Sequence, residues 1–507
     1  MNLQPYSGAA LRLAAWQFLT GKAISGLLSF VILLWLVRLL PVPEYAAYLS
    51  LIAAAELVFS VSSFGLPWAV ARFLPDARLH AQPAVTKRFV WRIVQWQAGI
   101  LTLFCVGAIL GHATLLPTLG LAVSGAAVSA WIGFILTQGL GRFLRDAVLG
   151  ALLQQGIARL SLIVRLGLFL GLLGLLVLFE RVSLDTVLAA EALASLVAVL
   201  AALGGIAWHL RALPELQYAE PWDSPSAHAL WRIALPMYAG SVFTLAYSPQ
   251  VFLLLLQRFA GAEAAAVFGF LRSLYQQASR YLPATLLFGL VRPKLVASYV
   301  GGGGLMELSR SANLAGKLSL FVLMPVVAFT FAAGEPLVAV LSGGKFDQTG
   351  LLLFGFMLAL VPASQRQLLE TVAVTVGRTQ LCILGAVVGL ATLPLMLGLL
   401  YGGAGAWAGV AGLGSGELLF VLVVGTGLAR VGYQPDHGAL LRLCGAAVAA
   451  AAGALLVRLL PSPPGGLILQ ALAACAAFMA AVGVLKPFPA TERQRLGRLL
   501  SRKVRHA

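Results

Sequence analysis

Apolar runs of about twenty residues, enough for a helix to cross roughly 30 Å of hydrocarbon, recur along this entire chain. That feature decides the fold class, because lipid offers the backbone no hydrogen bonds and admits only helices and closed barrels. The runs are continuous and not alternating, so a barrel is excluded. Composition agrees: the 507 residues are 60% hydrophobic and 10% charged, where a soluble protein is about 25% charged. The expectation is an all-α integral membrane protein with about 14 transmembrane helices. They fall near 12–38, 45–71, 89–111, 115–140, 157–179, 184–209, 230–257, 264–291, 311–333, 349–375, 379–400, 404–429, 439–460 and 466–485. The stretch 140–160 admits two readings, an extension of the fourth helix or an interfacial segment.

A net charge of +17 invites a nucleic-acid partner. Its distribution argues otherwise, because basic residues of membrane proteins collect in cytoplasmic loops. About 30 of the 35 Lys and Arg fall on one set of alternate junctions, including Arg72, Lys87, Arg92, Arg142, Arg145, Arg292, Lys294 and the tail RQRLGRLLSRKVRHA. The other set holds Arg38, Arg181, Arg258, Lys345 and Arg458. Both termini are therefore expected in the cytoplasm, which requires an even number of spans. The first apolar run lacks a small-x-small cleavage site and is expected to stay as a helix. No nucleic-acid partner is implied, and no cofactor or metal. The four cysteines stand alone in apolar runs, and the six histidines show no ligand spacing.

The first and seventh spans end alike. RLLPVPEYAAY (38–48) and RFAGAEAAAVF (258–268) share an Arg, a turn with Pro or Gly, a Glu and a small-residue helix start. The next basic helix end follows 34 residues later in both, at Arg72 and Arg292. The economical reading is two six-helix bundles, 1–210 and 230–430, related by a pseudo-twofold axis and joined by a cytoplasmic linker at 211–229. Two further helices (431–485) and a basic cytoplasmic tail (486–507) follow. Paired bundles around a central cleft suit alternating-access transport.

One local motif points elsewhere. Leu341-Ser342-Gly343-Gly344 matches the start of the LSGGQ signature of ATP-binding cassette proteins. The orientation puts it in an outer loop, where there is no ATP, and the chain has no GxxxxGK[ST] phosphate loop. The match is read as coincidence, and its glycines as turn residues. GGGG at 301–304 is read as a cytoplasmic loop.

FLTGKAISGLLSFVILLWLVRLLPVPEYAAYLSLIAAAELVFSVSSFGLPWAVARFLP (18–75), with Arg38-Leu39-Leu40-Pro41, Glu44-Tyr45, Gly65-Leu66 and Arg72, resembles the opening helices of bacterial polysaccharide (O-antigen type) flippases. Those belong to the multidrug/oligosaccharidyl-lipid/polysaccharide exporter superfamily. LVAVLSGGKFDQTGLLLFGFMLALVPASQRQLLETVAVTVGRTQ (337–380) and YGGAGAWAGVAGLGSGELLF (401–420) extend the resemblance. Ala46 and Lys345 depart from the family pattern and leave the substrate open. The resemblance implies a non-enzymatic flippase of the bacterial inner membrane, moving an undecaprenyl-diphosphate-linked oligosaccharide for lipopolysaccharide or exopolysaccharide synthesis. Its partners would be the lipid-linked oligosaccharide, membrane lipids, and a polysaccharide polymerase with its export machinery.

Such a protein must shield a diphosphate and sugars from lipid, so cations and hydrogen-bonding groups are needed at membrane depth. An ionisable side chain there costs about 2.5–3.5 kcal/mol on insertion scales and marks a cavity or a partner. In the eighth span Arg272, Gln276 and Ser279 share one helix face, broadened by Gln277 and Arg280. Arginine forks suit phosphate oxygens, although these arginines can also snorkel to the interface. Lys22, Ser25 and Ser29 form a stripe in the first span, and Glu56, Ser60 and Ser63 one in the second, so a Lys22–Glu56 pair is expected. Arg366 and Glu370 stand at i, i+4 beside Gln365 and Gln367, where they either face substrate or neutralise each other. Candidate substrate-binding residues are thus Lys22, Glu56, Arg272, Gln276, Arg280 and Arg366. Glu191, Glu370 and Glu417 are candidates for ion coupling, Glu191 and Glu417 being read as isolated carboxylates. Arg159 and Arg165 are expected at the interface. Two alternatives stand beside the flippase. A small-molecule cation antiporter of the same superfamily would favour acidic cavity residues. A polysaccharide polymerase or ligase would need a larger outer domain than junctions of at most about 15 residues provide.

Overall fold

With no water to accept its amides, a chain in lipid satisfies them within helices. The computed structural model describes residues 8–213, 222–283, 304–458 and 466–489, with 492 and 494, and they form helices joined by short turns, without strands. The order is α1 (Gly8–Leu39), α2 (Val42–Val61), α3 (Leu66–His80), α4 (Pro83–Thr118), α5 (Gly125–Phe143), α6 (Gln155–Leu178), α7 (Leu184–Arg211), α8 (Ala227–Ala246), α9 (Pro249–Phe259) and α10 (Gly261–Tyr281). Then come α11 (Gly304–Ser342), α12 (Gly350–Thr375), α13 (Thr379–Gly389), α14 (Thr392–Tyr401), α15 (Ala406–Ala429), α16 (His437–Arg458) and α17 (Gly466–Leu485). Among the described residues, 13 helical stretches are long and apolar enough to cross a membrane. The eighth expected span is the exception. Its described part is α10, whose Glu263, Arg272 and Arg280 keep it polar, and 284–291 lies outside the described residues. Arg292, Lys294, 301–303 of the GGGG loop, 459–465, part of the linker (214–221) and most of the tail also lie outside them.

Three boundaries differ from the sequence reading. The second span does not continue to residue 71: it stops at Val61, and α3 restarts at Leu66 after Gly65, whose φ is 76°. The seventh is two helices, broken at Tyr247 and Ser248, with Pro249 opening α9. The third runs to Thr118, and the fourth begins only after the Ser124 cap. All three breaks carry Ser, Gly or Pro, but in runs too short to lower the hydropathy of a span-length window. The open stretch 140–160 resolves as an extension: α5 passes through a π turn at Leu144–Val148 and ends at Ala151.

Two compact units divide within α10, between Gly269 and Phe270. In the first, α7 packs on α5 and α6, α1 on α6, α2 on α9, and α3 on α8. Small residues make the approaches close, the usual means of helix association where lipid is as apolar as leucine. Ala194, Ala198 and Ala202 are fully buried along α7, and a Cβ on Gly205 would overlap Ile157. In the second unit α16 and α17 meet through Ala446, Ala450, Ala454 and Ala474, with α11 against both.

The LSGG stretch is a turn between α11 and α12. Gly343 and Gly344 have φ of 69° and 80°, and Gly344 N–H closes on the Ala339 carbonyl. The Glu335 carboxylate accepts from the amides of Gln348 and Gly350, so an acidic group caps α12. Phe346 is buried against Phe270 at 5.6 Å.

Gly65 is the tightest junction of the first unit: a Cβ there would overlap the Ala234 carbonyl oxygen. Gly65→Ala therefore combines a left-handed backbone with a clash, and should cost about 1–3 kcal/mol or more. A lower melting temperature of the detergent-purified protein is the expected readout, and an unchanged one would refute the close packing of α3 on α8.

Candidate functional site

In the first unit the charges gather in three places. Lys22 lies 5.6 Å from the Phe18 ring centroid, and the Arg159 guanidinium lies 4.4 Å from the same ring. Gly21 makes room, since a Cβ on it would overlap the Arg159 side chain. Two cations from α1 and α6 thus share one aromatic ring, each attracted by its quadrupole. Glu56, the proposed partner of Lys22, accepts a hydrogen bond from Gln250 Nε2 at 2.6 Å, so the α9 start meets the lower part of α2.

The third place corrects two readings. Arg165 is buried, not interfacial, and Glu191 is not isolated. Arg165 Nη2 meets Glu191 Oε1 at 2.6 Å, and Arg165 Nε donates to Ser195 Oγ at 3.0 Å. The Tyr48 hydroxyl donates to the other Glu191 oxygen at 2.7 Å. α2, α6 and α7 are bolted together by one network whose members are each less than a tenth exposed. A buried pair needs this full satisfaction to offset desolvation. Its partners lie 26 and 143 residues apart, out of reach of any local sequence pattern.

In the second unit Arg272 is buried, Gln276 half-buried and Arg280 exposed, with Arg280 Nη1 at 3.5 Å from Gln277 Oε1. Arg272, and not Arg280, is the cation that α10 carries into the protein. Arg366 joins Glu370 as the i, i+4 spacing implies, at 3.1 Å. It also meets Glu417 of α15 at 3.3 Å and lies 4.1 Å from the Phe420 ring. Glu417 is thus paired too, and the cluster holds two carboxyls to one guanidinium.

Two buried cations escaped the sequence reading as candidates. Arg145, assigned to a basic junction, is 7% exposed within the π turn and donates to Gln138 Oε1 at 3.2 Å. Lys317 of α11, 5% exposed, bonds Asp436 at 2.6 Å and Glu492 at 2.9 Å. Around it the Tyr433 hydroxyl donates to Asn313, and Asn313 Nδ2 donates to the Gln434 carbonyl. Partial burial pushes the Asp436 carboxyl up, but hydrogen bonds from Lys317 and the Ala439 amide outweigh it and hold the group below its usual range. Among the described residues no cluster of three or more His, Cys, Asp or Glu is placed to hold a metal.

No family model matches the chain, and no curated protein does. Solved structures match it over nearly their whole length. The lipid II flippase MurJ, in an inward closed conformation, superposes with a TM-score of 0.69 at 11% identity, covering 92% of this chain and 98% of its own. The Vibrio cholerae MATE transporter VcmN gives 0.55 at 16% identity, over 83% and 98%. An inward-facing multidrug resistance MATE family transporter of the MOP superfamily gives 0.54 at 15%, over 81% and 95%. The chain has the fold of these transporters. It is a multi-pass integral membrane protein.

Two outcomes test these clusters. Arg165→Met or Glu191→Leu alone should cost about 3–5 kcal/mol, because each strands a buried charge, while the double variant should recover most of that loss. Thermal melts in one detergent decide it, and additive losses would mean the pair is not coupled. Asp436 has a depressed carboxyl, so its stabilisation is present above the unfolded carboxylate value and lost as pH falls through the folded one. The melting temperature should accordingly drop less between pH 5 and pH 3 (about the carboxylate range) in Asp436→Asn than in the unaltered chain.

Proposed function

We propose that this protein flips an undecaprenyl-diphosphate-linked oligosaccharide from the inner to the outer leaflet of the bacterial cytoplasmic membrane, serving polysaccharide synthesis. The observation that carries the reading is the superposition on a lipid II flippase over 92% of the chain, at a higher TM-score than either MATE transporter reaches. The sequence resemblance to polysaccharide flippases supports it independently.

The chemistry required is modest. The polyprenyl tail stays in the bilayer, while the diphosphate and sugars need polar company on the way across. Lys22 and Arg159 on the Phe18 face, and Arg272 on α10, supply cations of the type that bind phosphate oxygens. Glu56 and Gln276 add hydrogen-bonding capacity. Nothing covalent happens to the substrate, so the protein acts by opening its binding path to one side of the membrane and then the other. Product removal by a polysaccharide polymerase and its export machinery would pull the exchange outward.

The cluster of Arg366, Glu370 and Glu417 favours a second reading, an antiporter of small cations. Two carboxyls to one guanidinium leave a formal negative charge that a proton or a metal cation can match. Within the flippase reading the same surplus is the candidate coupling site, whereas Glu191 is committed to Arg165.

Lys22→Ala, Glu56→Ala and Arg272→Ala are the test. Loss of one charge-assisted contact worth about 1.5–3 kcal/mol should cut polymer export by roughly tenfold or more. Lipid-linked oligosaccharide should accumulate on the cytoplasmic side at normal protein levels. Full export in all three variants would sink the assignment of these residues, and normal export in a deletion strain would sink the function itself.

A further inference from the structure

The first unit contains a cavity of about 550 Å³ that none of the ion-pair networks above fills. The break between α2 and α3 forms one side, with Ser60, Ser63 and Pro67. Gln97 of α4 forms the back, and the end of α5 with its π turn forms the other side through Arg142 and Asp146. Gly139, which also lines it, lets α5 pack closely on its neighbours, since a Cβ there would crowd Leu101 and Phe59 at 2.9 Å and 3.0 Å.

Its polar atoms are lopsided. Ser60 Oγ donates to the Glu56 carbonyl and Ser63 Oγ to the Ser60 carbonyl, so each hydroxyl has spent its only proton and presents lone pairs. Gln97 is 3% exposed and donates Nε2 to the Ser62 carbonyl, while its Oε1 has no hydrogen-bond partner among the described residues. Asp146 adds a carboxylate, matched at 3.9 Å by Arg142, the one strong donor. A buried acceptor without a donor is unusual enough to call for one.

The occupant must therefore bring donors. A phosphate is chiefly an acceptor and carries negative charge, which Gln97, both serines and the Asp146 carboxylate oppose. An organic cation brings charge, but the single carboxylate is more than half exposed and shared with Arg142 at 3.9 Å, and neutral oxygens do not repay the burial of an ion. A neutral polyol brings several hydroxyls that both donate and accept. The Arg142–Asp146 pair can bracket adjacent hydroxyls, and Phe59 and Phe143 offer apolar walls to ring C–H groups. The volume is in the range of about 300–1,000 Å³ found for small-molecule sites.

We propose that this cavity is a subsite for a neutral sugar ring. The proposal rests on the lipid-linked saccharide reading and deepens it: the diphosphate is met by cations elsewhere, and the sugar is read here. The experiment is saturation-transfer NMR on the full chain in phospholipid nanodiscs, with galactose, N-acetylglucosamine, inorganic phosphate and tetramethylammonium as probes. At least one of the two sugars should receive saturation, with neither phosphate nor tetramethylammonium competing. Ala71→Phe, which fills the cavity from an exposed position, and Gln97→Leu, which removes the orphan acceptor, should each weaken sugar binding by about fivefold or more. Melting temperatures check that both variants fold, and either suffices if the other does not. No saturation of either sugar, saturation undiminished in the folded variants, or competition by phosphate or tetramethylammonium would overturn the subsite. No transport is involved in this readout. A failed subsite leaves lipid flipping to its export assay, and failed export with sugar bound here would sink the transport reading alone.

Discussion

Every charge that enters hydrocarbon must find its counter-group inside the protein, and the first unit is arranged around that demand at Arg165 and Glu191. The pair alone would not repay its desolvation. It persists because Ser195 and Tyr48 complete the hydrogen bonds, which forces α2, α6 and α7 into one register. The alanines of α7 serve the same end, since the helices must come close for short polar side chains to meet. Packing and electrostatics are thus one constraint here. Van der Waals contact alone would tolerate many rotations of α7 on α6, and the network permits one.

Helix breaks follow from a related rule. Interrupting a helix at membrane depth frees backbone groups, which survive only when buried in protein or lining a cavity. Both breaks in the first unit meet it. The chain between α2 and α3 gives Gln97 a carbonyl at Ser62, and Gly65 presses α3 against α8. The chain between α8 and α9 starts the second helix at Pro249, which puts Gln250 against Glu56. The breaks are where polar side chains from different helices reach one another.

Which parts were legible in the sequence follows from these same distances. The apolar runs were readable because hydropathy is a local sum: 13 of the expected spans overlap apolar helices, and some, such as Gln155–Leu178 and Ala406–Ala429, agree within a few residues. The Arg366–Glu370 contact was readable because one helical turn fixes it. The breaks at Ser62 and Tyr247 were not, since the few Ser, Gly and Pro residues that make them are too short a run to interrupt a hydropathy window. Nor were the partners of Glu191, Glu417 and Lys317, which arrive from 26, 51 and 175 residues away. Burial of Arg145 was hidden by a sound rule: basic residues near a helix end usually reach water, and only the π turn carries this one inward.

The way each cation is held separates structural from functional candidates. A guanidinium or ammonium fixed by carboxylates, as Arg165 is by Glu191 and Lys317 by Asp436 and Glu492, has its charge already matched. Phosphate would have to displace those partners and leave carboxylates stranded, at a cost greater than it returns. Arg159 rests instead on the Phe18 ring, beside Lys22. A cation–π contact worth about 0.5–2 kcal/mol is weaker than a charge-assisted bond to phosphate. The ring does not consume the hydrogen-bonding capacity of the guanidinium, whose Nε has no hydrogen-bond partner among the described residues. On the flippase reading, a transporter needs anion sites that bind without trapping. An aromatic platform meets that requirement, since it holds the cation in place when substrate leaves without a carboxylate hydrogen-bonded to it.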